Sequence, residues 1–220
     1  MSILLSLPII LVKKITNHLS PFDHLMLIQS KVFLFLTIHV HLDKLCKSVS
    51  GISWITWKYL LAQNQAYIGG SFATLLFAPY TFTPNDIDIY LPADFKIQTL
   101  VQTLLAELGR VGFTALQGST DFSYSRQTYV HSRHPYKIQL IILPQSLPDN
   151  TASDCSIHFD RIICPYFSLI KKAKTFWNRR NPDREAKYIE RGITREHSLR
   201  ALWCTFTKRT YPKDVYVVKC

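Results

Sequence analysis

Ala66-Tyr67-Ile68-Gly69-Gly70-Ser71-Phe72-Ala73, followed downstream by Asp86-Ile87-Asp88-Ile89-Tyr90-Leu91, is the pair of segments on which the reading of this chain turns. The first predicts a strand end, a glycine turn and the start of a helix running to about Phe77. The second alternates and is β-branched, which predicts a strand. Side chains alternate faces along a strand, so Asp86 and Asp88 point the same way while Ile87 and Ile89 point into a core. Two carboxylates side by side repel each other unless a cation lies between them. Mg²⁺ is held in this way against a substrate's phosphates, with one or two carboxylates from the protein and the other ligands from water and substrate. A Gly-Gly-Ser turn lets backbone approach a triphosphate closely, and N–H groups at a helix start attract anions.

Working outward, Trp54, Trp57, Leu60 and Leu61 predict a helix over Trp54–Asn64. Residues 78–85 are turn-rich and end Thr83-Pro84-Asn85. A helix over about residues 95–108 carries Ile97, Leu100, Val101, Leu104, Leu105 and Leu108 in one stripe. Strands are expected at 111–116, 128–131 and, most clearly, 137–143 (KIQLIIL). This alternation of strands and helices indicates an α/β or α+β layer. Upstream, Leu7, Ile10, Leu11, Ile15 and Leu19 and then Leu25, Leu27, Ile28, Val32 and Phe35 recur at helical spacing. Ser20-Pro21-Phe22-Asp23 divides them, with Ser20 as N-cap and Pro21 at the first helical position. A unit of this size needs a partner, or the rest of the chain, to bury its apolar faces.

Leu7-Pro8, Ile10, Ile15, Leu19-Ser20-Pro21, Asp23, Leu25, Leu27 and Ser30-Lys31 resemble the F-box, although Ile9-Ile10 stands where that module often has an acidic residue before the aliphatic one. The F-box docks substrate receptors on the Skp adaptor of cullin ubiquitin ligases, so the resemblance implies that partner for residues 1–48. Ile68-Gly69-Gly70-Ser71 with Asp86-Ile87-Asp88-Ile89 resembles the nucleotidyltransferase fold of the DNA polymerase β superfamily. That resemblance implies a mixed sheet with helices behind it for residues 49–220. It also implies an NTP contacted by Gly69, Gly70 and Ser71, and Mg²⁺ held by Asp86 and Asp88. The family's third carboxylate, on a later strand, falls at Gln139 within Tyr136-Lys137-Ile138-Gln139-Leu140-Ile141. An amide is neutral and cannot replace a carboxylate's charge at a divalent ion. Asp121 and Asp160 are the remaining carboxylates considered for that role. Phe159-Asp160 with Cys164, and Lys187-Tyr188-Ile189-Glu190-Arg191-Gly192, are similar to the tails of nucleotidyltransferase-like proteins of fungi and large DNA viruses. Two functions remain open from the sequence. One is an adaptor whose degenerate transferase domain binds nucleotide, nucleic acid or protein; the other is an active Mg²⁺-dependent transferase moving NMP from NTP to a hydroxyl.

Composition bounds the partners. The chain has 220 residues and a formal charge of +11. Residues 1–160 hold 11 basic and 10 acidic residues, whereas residues 161–220 hold 15 and 5. The localised excess points to an anionic partner. Lys171, Lys172, Lys174, Arg179 and Arg180 interleave with Phe167, Phe176, Trp177 and Tyr188, a pattern suited to single-stranded nucleic acid; a solvated helical face packed through its aromatics is the alternative. Five cysteines without a CxxC pair argue against a disulfide framework and for a reducing compartment, cytoplasmic or nuclear. Cys155, His158 and Cys164 lack a fourth ligand at zinc spacing and are expected to be buried thiols and a surface imidazole. His39 and His41 are expected to be structural. The apolar run at 32–42 is too short to cross a bilayer, so no membrane partner is expected.

Overall fold

The computed structural model describes residues 8–16, 18–20, 22–23, 26–27, 39–77, 84–92, 97–116, 119–121, 124–143, 155–164, 174–175, 182–195 and 216–219. In chain order the elements are α1 (Ile9–Thr16), α2 (His39–Ser50), α3 (Trp54–Asn64), β1 (Tyr67–Gly69), α4 (Gly70–Leu75), β2 (Asp86–Pro92), α5 (Ile97–Arg110) and β3 (Phe113–Ala115). They continue with β4 (Ser119–Asp121), β5 (Tyr124–His131), β6 (His134–Leu143), β7 (Ser156–Ile157), β8 (Arg161–Cys164), β9 (Lys174–Thr175), α6 (Pro182–Glu190), β10 (Thr194–Arg195) and β11 (Tyr216–Lys219). The protein is therefore mixed helix and strand, as expected.

A nine-stranded mixed sheet runs in the order β11-β8-β7-β1-β2-β6-β5-β3, with β4 pairing to β5. β1 is antiparallel to both β2 and β7, and β2 is parallel to β6. One face is the floor of the core: Ile68, Ile87, Ile89, Ile138, Leu140, Ile157 and Ile162 are almost fully buried. Leu42 and Val49 of α2, Trp54, Trp57 and Leu61 of α3, and Leu104 and Leu108 of α5 belong to the same cluster. The expected division at residue 48 falls inside α2, whose buried side chains share this core.

The α2–α3 hairpin is held by a compact polar knot. Gly51 adopts φ +71°, a conformation that favours glycine, and lets the chain reverse. Ser53 caps α3 by accepting the Thr56 N–H at 3.2 Å. Asp43 accepts the Trp54 N–H at 3.0 Å and pairs with Lys47 at 2.7 Å. Buried Ser50 does most: its hydroxyl donates to the Cys46 carbonyl and accepts from the Ile52 N–H at 3.2 Å and the Trp57 indole N–H at 3.0 Å.

The structure changes several sequence-based bounds. α4 stops at Leu75, with Leu76 and Phe77 in a turn, and β5 begins at Tyr124 rather than at residue 128. β4, β7, β8, β9, β10 and β11 were not foreseen. Ser20 Oγ accepts the Asp23 N–H at 3.1 Å and donates to the Asp23 carboxylate, which is the expected capping role. No helix among the described residues is long and apolar enough to cross a membrane.

Replacing Ser50 with Ala strips the acceptor from two buried donors at once. A loss of about 2–6 kcal/mol is expected, at about 1–3 kcal/mol for each orphaned group. It is read as a lower urea midpoint with unchanged slope. A loss below about 0.5 kcal/mol would show that the knot does not hold the hairpin.

Candidate functional site

Register brings the candidate residues into rows across the sheet. Gly69 pairs with Asp88, Asp88 with Gln139, and Gln139 with Thr128. Neighbouring partners in a ladder present their side chains on the same face. Because Ile87 and Ile89 face the core, Asp86, Asp88 and Gln139 occupy the opposite, polar face, where all three are half-buried. Asp86 lies opposite Lys137, an exposed cation one strand away. The expected pairing of the aspartates thus appears, and Gln139 stands beside Asp88 where a third carboxylate was sought.

The glycines are required by what surrounds them. Gly70 has φ +67°, and a Cβ there would overlap the Asp88 carboxylate, which leans over the turn. A Cβ on Gly69 would come within 2.7 Å of the Tyr90 ring. Ser71 follows directly; its hydroxyl is buried and has no hydrogen-bond partner among the described residues. Gly70 and Asp88 are therefore in direct contact, the Asp88 carboxylate and the Tyr90 ring fill the space the two glycines leave, and Ser71, next in the chain, adds a spare buried hydroxyl. α4 has only six residues, so its aligned dipoles add little at the turn.

These residues fit a phosphate-bound divalent ion in one respect and fall short in another. Asp86 and Asp88 supply the carboxylates that such an ion takes from protein when phosphates supply other ligands. No cluster of three or more His, Cys, Asp or Glu side chains suited to a metal occurs among the described residues. Asp160 lies in the β7–β8 turn, 3.4 Å from Arg161, and not in this row; the Asp121 side chain lies outside the described residues.

A second row, parallel to the first, was not foreseen. Tyr67 is the register partner of Tyr90, and their rings stack at 5.0 Å with an interplanar angle of 10°. His158 stacks on the other side of Tyr67 at 5.1 Å. Its Nε2 lies 3.0 Å from Ser156 Oγ. β7 pairs with β1 through Ile68 and Ile157, which places Ser156 beside Gly69 and so next but one to Asp88. Cys155 and Cys164 are fully buried, as expected, whereas His158 is half-buried and bonded rather than a surface imidazole. Burial holds its imidazole below the usual value, Arg161 adds to this, and Asp160 opposes it.

No protein-family model, curated protein or solved structure matches this chain.

Of the basic segment, Lys174 lies in β9, its side chain outside the described residues, as are Lys171, Lys172, Arg179 and Arg180. Tyr188 is buried with Ile193, as in the alternative of a helical face packed through its aromatics. His41 is buried and His39 half-buried, in keeping with structural roles.

Gly70→Ala should cost at least about 1–2 kcal/mol from the left-handed backbone alone. Overlap with Asp88 adds to this, so the double variant with Asp88→Ala should lose less than the sum of the single variants, by about 0.5 kcal/mol or more in a double-mutant cycle. Strict additivity would separate the turn from the carboxylate.

The depressed His158 value gives a signed pH dependence. The unfolded chain takes up the proton first as pH falls, so this contribution to stability is complete above about pH 7 and is lost on acidification through about 6.5 and below. His39 acts in the same direction, lowered by burial and then by Lys58. His158→Gln should therefore flatten part of the fall in urea midpoint between about pH 7 and 5, and an unaltered profile would contradict the assignment.

Proposed function

We propose that this chain is an adaptor or receptor whose sheet domain is a degenerate nucleotidyltransferase-like module that binds a nucleoside triphosphate with Mg²⁺. The observation that carries the reading is the Gly70–Ser71–Asp88 cluster. A glycine in the left-handed region lies under the Asp88 carboxylate, an unpartnered buried hydroxyl follows it in the chain, and Asp86 stands two residues along the same strand face, a combination that suits phosphate and cation better than it suits a packed core. Asp86 and Asp88 would hold the ion, which would neutralise phosphate charge. Gly69 and Gly70 would admit the triphosphate backbone, and the Ser71 hydroxyl would donate to an oxygen.

Gln139 is the reason for reading the module as binding first. As Asp88's neighbour it is positioned to donate its amide N–H to a phosphate or accept from a water, but it supplies no charge to the ion and takes no proton from an acceptor hydroxyl. The N-terminal part supports an adaptor role through α1, which exposes Ile10, Leu11 and Ile15, apolar side chains of the kind a helical docking surface uses. Skp is the partner proposed for residues 1–48.

Calorimetric titration of ATP, GTP, CTP and UTP with Mg²⁺ tests the module. Saturable binding to at least one is expected, lost on omitting the ion and in the Asp86→Asn, Asp88→Asn double variant. Affinity unchanged in that variant would remove the aspartates from the site, and no binding to any of the four would reject the reading.

A further inference from the structure

Ser156 and His158 form a polar pair that the nucleotide site does not use. They flank Ile157, which is fully buried and faces Ile68, so both side chains stand on the polar face with Asp88. Ser156 lies beside Gly69, which has no side chain, and Gly69 lies beside Asp88. Two strand spacings of about 4.8 Å separate the Ser156 backbone from that of Asp88. Gly69 puts no side chain of its own between them, and the edges of the Tyr90 and Tyr67 rings lie over it.

The pair has the anatomy of an activated hydroxyl. Ser156 Oγ and His158 Nε2 are 3.0 Å apart, within reach for proton transfer. The imidazole is in turn held by its stack on Tyr67, while the His158 backbone N–H donates to the Arg161 carbonyl at 2.7 Å and closes the β7–β8 turn that carries the residue. A hydroxyl, a base and an orienting group are thus lined up next to the row that would hold an α-phosphate. Burial also keeps the imidazole in its neutral, proton-accepting form near pH 7.

We propose that Ser156 is an internal acceptor: with a nucleoside triphosphate bound, the chain transfers NMP to its own Ser156, and His158 is the general base. This rests on the nucleotide site proposed above. Ser156 Oγ attacks the α-phosphorus, so that an Oγ–P bond forms. The bond from the α-phosphorus to the oxygen bridging to the β-phosphate breaks, and pyrophosphate leaves with its electron pair. The hydroxyl proton passes to His158 Nε2 and from there to solvent. His158 thereby takes over the proton acceptance that Gln139 lacks, and the reaction stops after one turnover because its acceptor is consumed.

The full-length chain is incubated with each of the four NTPs, labelled in turn at the α- and γ-phosphate, with Mg²⁺ or Mn²⁺, and read by intact mass and peptide mapping. One NMP per chain on the peptide containing Ser156, with equimolar pyrophosphate release and no retained γ-label, is the expected result. Ser156→Ala should abolish it, Ser156→Thr should retain some, and His158→Gln should slow it about 100-fold or more, the scale of general-base assistance. Label at another residue, or equal rates with and without His158, overturns the proposal. Calorimetry on the same preparation separates the failures: nucleotide bound without modification rejects the acceptor alone, and absence of binding rejects both readings. A nucleotide-free readout is the ¹⁵N spectrum of His158. Base action requires Nε2 to be the unprotonated nitrogen in the neutral ring, and an Nε2–H tautomer also overturns the assignment.

Discussion

The pairing of β2 with β1 on one side and β6 on the other is the constraint through which core and site become a single problem. Ile87 and Ile89 are buried almost completely against the helices, and the pleat then forces Asp86 and Asp88 to the opposite face. A slip of one residue would bury two carboxylates and expose two isoleucines. Unpaired carboxylates are among the costliest groups to remove from water, so hydrophobic burial and electrostatics enforce the same register. The same ladders bring Gly69 and Gln139 beside Asp88 and stack Tyr67 against Tyr90. The functional rows are in this sense by-products of the register that the core selects.

Charge is distributed across the polar face in a way that the overall excess of basic residues conceals. Asp86 and Asp88 lie in a region of almost balanced charge, with Lys137 one strand away, while the basic excess belongs to the last quarter of the chain. The face combines an acidic pair, a neutral amide and a line of aromatic rings. Close electrostatic interactions there are felt more strongly than in bulk water because each group is half-shielded.

Much of this was legible in the amino-acid order, and the exceptions have physical causes. β2 was readable because alternation and β-branching extend over six residues, and α3 because its tryptophans and leucines recur at helical spacing. The β7 and β8 strands escaped notice because they are two and four residues long and owe their conformation to partners elsewhere. Ser156 and His158 share the Asp-x-Asp spacing, but their placement depends on Ile157 meeting Ile68, a pairing that leaves no local trace. His158 falls with Cys155 and Cys164 into a weak metal pattern in sequence, whereas alternation sends the cysteines to the core and Ser156 and His158 outward. For Tyr188 two readings were open, a stacking ring and an aromatic that packs its helix down, and its burial with Ile193 fits the second.

The position of β1 has a consequence for the order in which the molecule comes into being. Its neighbours arrive from residues 88–90 on one side and from residue 157 on the other. While the chain is being synthesised, β1 and the half-sheet it starts have an unpaired edge until β7 emerges and docks. Contacts so distant in sequence form slowly, because the intervening loop must be closed before any of them stabilises it. For that interval the nascent protein exposes a strand edge next to its glycine turn, a surface open to pairing with another chain.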